Sequence, residues 1–266
     1  MRVSRAAALL VPLVVVTLAA TACTPGPAAH HGAHAPAASA SQELPYDVRP
    51  LIQPPKKYFG VSRPKVPTSM KPVDAYAEMV GRKPNLIGYY ADWGDGFDAT
   101  GVRNAWSVGA LTVVSWEAQD ISLTDIADGV SDDYLKDYAR AARRLNIPFA
   151  ISFADEMNGN WETWGTTRTT PQETVRAWRH IHDVFEDADA TNVIWAWSPT
   201  MPGGHRAGDV RALFEGVTAA PDIIGFTWFD HKARADWRLS VNPEGLAEFK
   251  RLAARDLHGF DVRKAG

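Results

Sequence analysis

The chain has 266 residues, 45% of them hydrophobic, and a formal net charge of -3. It has no basic block or clustered Lys/Arg face, which leaves nucleic-acid binding without an electrostatic footprint. The single cysteine, Cys23, excludes an internal disulfide, while ten tryptophans suit stacking on sugar rings as well as packing in a core.

Residues 1–22 begin with Arg2 and Arg5, continue through an apolar core from Ala6 to Val16, and end in small residues. That pattern is expected to be a secretory signal. Leu18-Ala19-Ala20-Thr21-Ala22-Cys23 resembles a bacterial lipoprotein signal. The resemblance implies lipidation of Cys23, hence an exported protein tethered to the cell membrane; the alternative is ordinary cleavage and secretion. Residues 23–45, rich in Ala, Pro and His, cannot bury a core and are expected to form a flexible tether. His30, His31 and His34 fall in it and read as linker composition; no metal or cofactor is expected. Residues 46–266 suffice for one domain, expected to be monomeric.

Within that domain, Lys57 to Ser62 is a short strand candidate. Pro72 to Gly81 reads as a helix, with Pro early and Gly just past its end. Leu86 to Trp93 is a second apolar run, followed by a Gly94-Asp95-Gly96 turn and a short helix near Thr100 to Ser107. Ala110 to Glu117 is a third run. Ser131-Asp132-Asp133 is expected to cap a helix from Asp132 to Leu145, with apolar residues at helical spacing. Pro148 to Asp155 is the fourth run, continuing into Glu156-Met157-Asn158-Gly159-Asn160-Trp161. Thr170-Pro171-Gln172-Glu173 reads as a capping box opening a helix to about Ala188, with Val175, Trp178, Ile181 and Phe185 as its buried stripe. Asn192 to Pro199 is the fifth run, Asp209 to Ala220 a helix, Asp222 to Asp230 the last run, and Pro243 to about Arg255 the final helix.

The strands are near-continuous apolar runs separated by amphipathic helices, which predicts an α/β fold with a parallel sheet covered by helices. Several runs end in acids or aromatics: Asp92 and Trp93, Trp116 and Glu117, Asp155 and Glu156, Trp197, Trp228 and Asp230. In a (β/α)8 TIM barrel such ends converge on the active-site face. A doubly wound open sheet is the other candidate, but no Gly-rich phosphate loop follows an early strand.

The Asp155-Glu156-Met157-Asn158-Gly159-Asn160-Trp161 segment resembles glycoside hydrolase family 26, best known for endo-β-1,4-mannanases. Val114-Ser115-Trp116-Glu117 resembles that family's third strand end, and Phe226 to Asp230 with Asp236-Trp237-Arg238 its eighth strand and following loop. The resemblance implies a (β/α)8 barrel, a retaining mechanism on a β-linked, mannan-type polysaccharide, and Glu156 as general acid/base. Asn158 and Trp161 would orient and stack the sugar. Trp93, Trp116, Glu117, Asp155, Trp197, Trp228 and Asp230 complete the expected substrate-binding set.

Two departures stand out. The family has His immediately before the acid/base Glu and Arg a few residues earlier, where this chain has Asp155 and Ser152. Adjacent strand residues point to opposite faces, so Asp155 and Glu156 are not expected to form a catalytic pair. The second departure is one of length. Only a Gly/Pro loop and one helix separate the fifth run from the last, which resembles strand eight, whereas a βα unit takes roughly 30 residues. The barrel is therefore expected to lack strands six and seven, and with them the Glu that serves the family as nucleophile. Glu215, the only Glu in that gap, falls on a helix; Glu117 or Asp230 would have to replace it. The alternative function is a catalytically impaired, carbohydrate-binding barrel.

Overall fold

Six apolar runs become six parallel strands, because their buried backbone groups can be satisfied only by neighbouring strands; β1 and β4 are buried on both faces, while β2 and β6 leave part of one face exposed. The structure, a computed structural model, describes residues 43–198, 206–233 and 235–265. The signal-like segment, Cys23, the tether up to residue 42, and residues 199–205 of the Gly/Pro loop lie outside the described residues.

After a short helix α1 (Arg49–Ile52) the elements run β1 (Tyr58–Ser62), α2 (Lys71–Val80), β2 (Leu86–Asp92), α3 (Ala99–Ser107), β3 (Leu111–Glu117), α4 (Leu123–Ala127), α5 (Asp132–Leu145), β4 (Phe149–Phe153), α6 (Pro171–Asp187), β5 (Val193–Trp195), α7 (Ala207–Ala219), β6 (Gly225–Phe229) and α8 (Pro243–Ala253). The ends of α2 and α6 follow the sequence signals, whereas Ser131, expected to cap α5, makes no side-chain cap hydrogen bond. Gly81 takes the left-handed conformation (φ 77°) that ends α2, and Thr170 and Glu173 close the expected capping box of α6. The buried stripe of α6 is rotated from the expected one: Thr174, Ala177, Ile181, Val184 and Phe185 face inward, while Val175 is exposed. The α4 turn had no sequence expectation; Ser122 caps it through the Asp125 N–H.

Strand order is β5-β4-β3-β2-β1-β6, all parallel. The last strand in sequence lies beside the first, as in a barrel closing on itself. Here β5 and β6 are both edges, so the described residues form a (β/α)8-type barrel that is not closed.

Alternation along the strands sorts their side chains. Phe59, Val61, Ile87, Phe226 and Trp228 pack against α2, α7 and α8 residues such as Tyr76, Phe214 and Phe249. Tyr89, Val114, Trp116, Phe149, Ile151 and Phe153 pack against α5 and α6 residues such as Leu135, Tyr138 and Ile181. The intervening residues face the barrel interior. Tyr58, Leu111, Ala150 and Ile194 fill its lower end; Ser62, Tyr90, Asp92, Ser115, Glu117, Ser152 and Phe229 occupy corresponding positions toward the C-terminal end. Gly60 and Gly88 make the interior narrow, since a Cβ on Gly60 would lie 2.5 Å from the Phe226 carbonyl oxygen and one on Gly88 2.7 Å from the Thr227 side chain.

Candidate active site at the open mouth of the barrel

The site is built where β4 stops. The Ala154 N–H still donates to the Trp116 carbonyl (3.0 Å), but Ala154 and Glu156 both take left-handed backbone conformations, with φ of 50° and 53°. Strand alternation therefore ends at Phe153. Three bonds fix the turn: the Trp164 indole N–H donates to the Asp155 carbonyl (2.7 Å), Glu156 N–H to Ser198 O (2.7 Å) and Gly159 N–H to Glu156 O (2.7 Å). Gly159 is needed for close approach, because a Cβ there would lie 2.7 Å from the Trp161 ring.

Strand alternation therefore no longer sets the directions of Asp155 and Glu156. Asp155 is 9% exposed, and its Oδ1 has no hydrogen-bond partner. Burial first, then the neighbouring Glu156 charge, push its carboxyl up to about 7, against the Ser115 hydroxyl, which lowers it. Burial first, then Asp155, likewise push Glu117 up to about 7. Burial raises the Tyr90 phenol, as do the charges of Asp155, Glu156 and Glu117 in that order. One inward-facing tyrosine thus senses all three carboxyls. Asp92, the register partner of Glu117, adds a fourth.

Glu156 is half-buried, and its Oε2 accepts the Trp161 indole N–H at 2.9 Å. Trp161 is 38% exposed, so part of the residue remains accessible to solvent. Arg168 does not pair with Glu156; it donates to the Glu162 carbonyl (2.9 Å). Asn158 is exposed on the same turn.

The other tryptophans in the expected sugar-binding set are on the helix side. Trp116 is fully buried, stacked on Tyr138 with centroids 4.3 Å apart, and donates to the Tyr134 hydroxyl. Trp93 stacks on Trp116 at 5.0 Å and donates to Ser131. Trp228 is buried against Phe249 and donates to the Trp237 carbonyl. Trp197 is exposed, but lies nearly parallel to Trp178 of α6. The reason is period-two alternation: residues one position from an inward carboxylate face the helices.

Asp230 is also structural. It is 1% exposed and accepts the Leu239 N–H (2.9 Å). The Arg63 guanidinium lies 3.0 Å from its Oδ2, outside hydrogen-bond geometry, since that oxygen has no hydrogen-bond partner. The pairing is therefore chiefly Coulombic. Burial nevertheless outweighs these partners and raises the Asp230 carboxyl. Glu215 lies on α7.

In their place stand residues the sequence reading missed. Tyr90 meets Phe229 edge-on at 5.9 Å, and His231 stacks on Phe229 at 4.3 Å while its Nε2 lies 3.0 Å from the Ser62 hydroxyl. Burial lowers the His231 pKa. Counting back by twos from Glu117 and Asp92 would have found Ser115 and Tyr90. Among the described residues no group of three His, Cys, Asp or Glu side chains is arranged to hold a metal ion.

Comparison with known proteins supports the fold. The β-mannanase from a symbiotic protist of the termite Reticulitermes speratus superposes with a TM-score of 0.56 at 11% identity, covering 79% of this chain and 90% of that one. A modular endo-β-1,4-mannanase from Cellulomonas fimi gives 0.55 at 15% identity, covering 80% and 73%. In sequence, Endoglucanase H of Acetivibrio thermocellus is 27% identical over 257 positions, covering 67% of this chain; the chain spans 28% of that relative's length. Since 257 positions far exceed two-thirds of 266 residues, the aligned part of the relative carries residues that this chain lacks. The family profile described as glycosyl hydrolase family 26 matches residues 105–238, half of the chain, and the chain belongs to that family.

Proposed function

We propose that this chain is an O-glycosyl hydrolase acting on a β-linked, mannan-type polysaccharide, with Glu156 as general acid/base. The observation that carries this reading is the setting of Glu156 just past the β4 end, its carboxylate on the N–H of the partly exposed Trp161. The family and the mannanases that share the fold agree with it. In the retaining sequence, Glu156 protonates the glycosidic oxygen as the C1–O bond breaks and a second carboxylate attacks C1. Glu156 then takes a proton from the water that releases the sugar. With Asp230 held by Arg63, Glu117 is the remaining candidate for the second carboxylate. It must be ionised to attack, and it is raised to about 7, so activity should rise with pH through about 7. The test is reducing-sugar release from mannan, glucan and xylan. Wild type should release sugar from mannan, and Glu156→Gln should lose about 10²–10⁴-fold; release unaltered in the variant would refute the assignment.

A second reading is favoured by the open edges of β5 and β6, the place of the missing seventh strand: the barrel binds oligosaccharide at Trp161 without turnover. Tryptophan fluorescence that shifts with manno-oligosaccharides, with no product released, would select it. We also propose that the chain is exported as a monomer and held at the membrane through Cys23; Cys23→Ser should release it to the medium.

A further inference from the structure

We propose that the mouth of the barrel selects a substrate bearing ammonium groups, a β-linked polymer of hexosamine with free amines. This rests on the carbohydrate reading above and narrows its substrate class. The C-terminal ends of β2, β3 and β4 carry four carboxyls and no paired cation. Asp92 and Glu117 lie side by side in register on β2 and β3, where the Asp92 carboxyl raises that of Glu117 against a hydrogen bond from Gln119, which lowers it. Asp155 and Glu156 follow on the next strand end. Among the described residues no Lys or Arg forms an ion pair with any of the four. Arg63 lies on Asp230, and Arg168 donates to backbone carbonyls. His231 is held toward its neutral form by burial.

Asp155 supplies the independent observation. It is more than nine-tenths buried, stands among the inward-facing carboxyls, and leaves Oδ1 without a donor. A buried carboxyl oxygen without a partner is costly. An ammonium group offers three donors and a positive charge to the cluster. Tyr90, 44% exposed and close enough to sense Asp155, Glu156 and Glu117, adds an aromatic wall suited to a cation. A neutral mannan unit brings hydroxyls but leaves the charge unanswered.

The experiment is titration calorimetry of the full chain at pH 7 and low salt with three tetrasaccharides: β-1,4-glucosamine, its N-acetylated form and β-1,4-mannose. Spermidine serves as a cation without a sugar ring. The free-amine tetramer should bind about tenfold more tightly than either neutral one. The ratio should shrink as salt rises, and in Asp155→Asn. Equal affinities for the three tetramers, or a ratio indifferent to salt, overturn the inference while leaving the carbohydrate reading intact. Spermidine binding as tightly as the amine tetramer overturns its sugar component. If no tetramer binds, both readings fall. The salt series uses the unaltered chain, so the test stands even if the variant fails to fold.

Discussion

Asp230 and Asp155 are the same side chain at equivalent places, just past the C-terminal ends of parallel strands, and both are almost fully buried. Their surroundings differ. Asp230 has a guanidinium beside it and a backbone N–H on one oxygen, and it ties the loop at Leu239 to β6. Asp155 has the Ser115 hydroxyl and two further carboxyls for neighbours, and each aspartate leaves one oxygen without a hydrogen-bond partner. Burial raises both carboxyls, but only Asp155 lacks a cation. A buried carboxylate with a cation stabilises a loop; one among other carboxylates destabilises the fold and is a candidate for function.

One change in each neighbourhood should separate them. Arg63→Met takes away the cation and leaves Asp230 buried with only the Leu239 N–H, and should cost about 3 kcal/mol at pH 8. Urea denaturation measures this; a cost under about 1 kcal/mol would make Asp230 no more than a surface-type ion pair.

Asp155→Asn should act in the opposite direction. The folded state holds the Asp155 proton up to about 7, whereas the unfolded chain releases it near 4. The contribution of Asp155 to stability is therefore fully present below about pH 4 and is lost as pH rises to about 7. The asparagine has no charge to lose, so its advantage should grow across that window and level off above it. On the order of 2 kcal/mol at pH 8 is expected, less than the full shift because a buried amide still needs partners. A variant less stable than wild type at pH 8 would show that Asp155 is compensated in a way its surroundings do not display.

The sequence disclosed the architecture better than the site. Apolar run length and turn residues located all six strands. Counting residues between the fifth and last runs anticipated the open edges of β5 and β6, because a βα unit has a minimum length. Side-chain direction was harder to read. Trp116 and Glu117 are neighbours in sequence, and treating both as strand-end residues joined opposite faces of one strand. Locating the inward face needed one fixed point and strict alternation, which leads from Glu117 to Ser115 and from Asp92 to Tyr90. The turn that carries Asp155 and Glu156 was not legible. It depends on left-handed conformations at Ala154 and Glu156, residue types that carry no signal for that region.

The smallest expected effect concerns the ring beside the catalytic candidate. Trp161→Phe keeps an aromatic face at a partly exposed position and removes the N–H that Glu156 accepts. Little packing is lost, so stability should fall by about 1 kcal/mol or less. Affinity for a neutral oligosaccharide should persist through the ring face, while turnover falls, because Glu156 loses the bond that fixes its orientation. If binding and turnover fall together by the same factor, Trp161 acts only as a platform. If turnover alone falls, its N–H positions the Glu156 carboxylate. In that case the mouth of the barrel contains two kinds of carboxyl: Glu156, oriented by a neutral donor and accessible, and Asp155, buried and short of a partner.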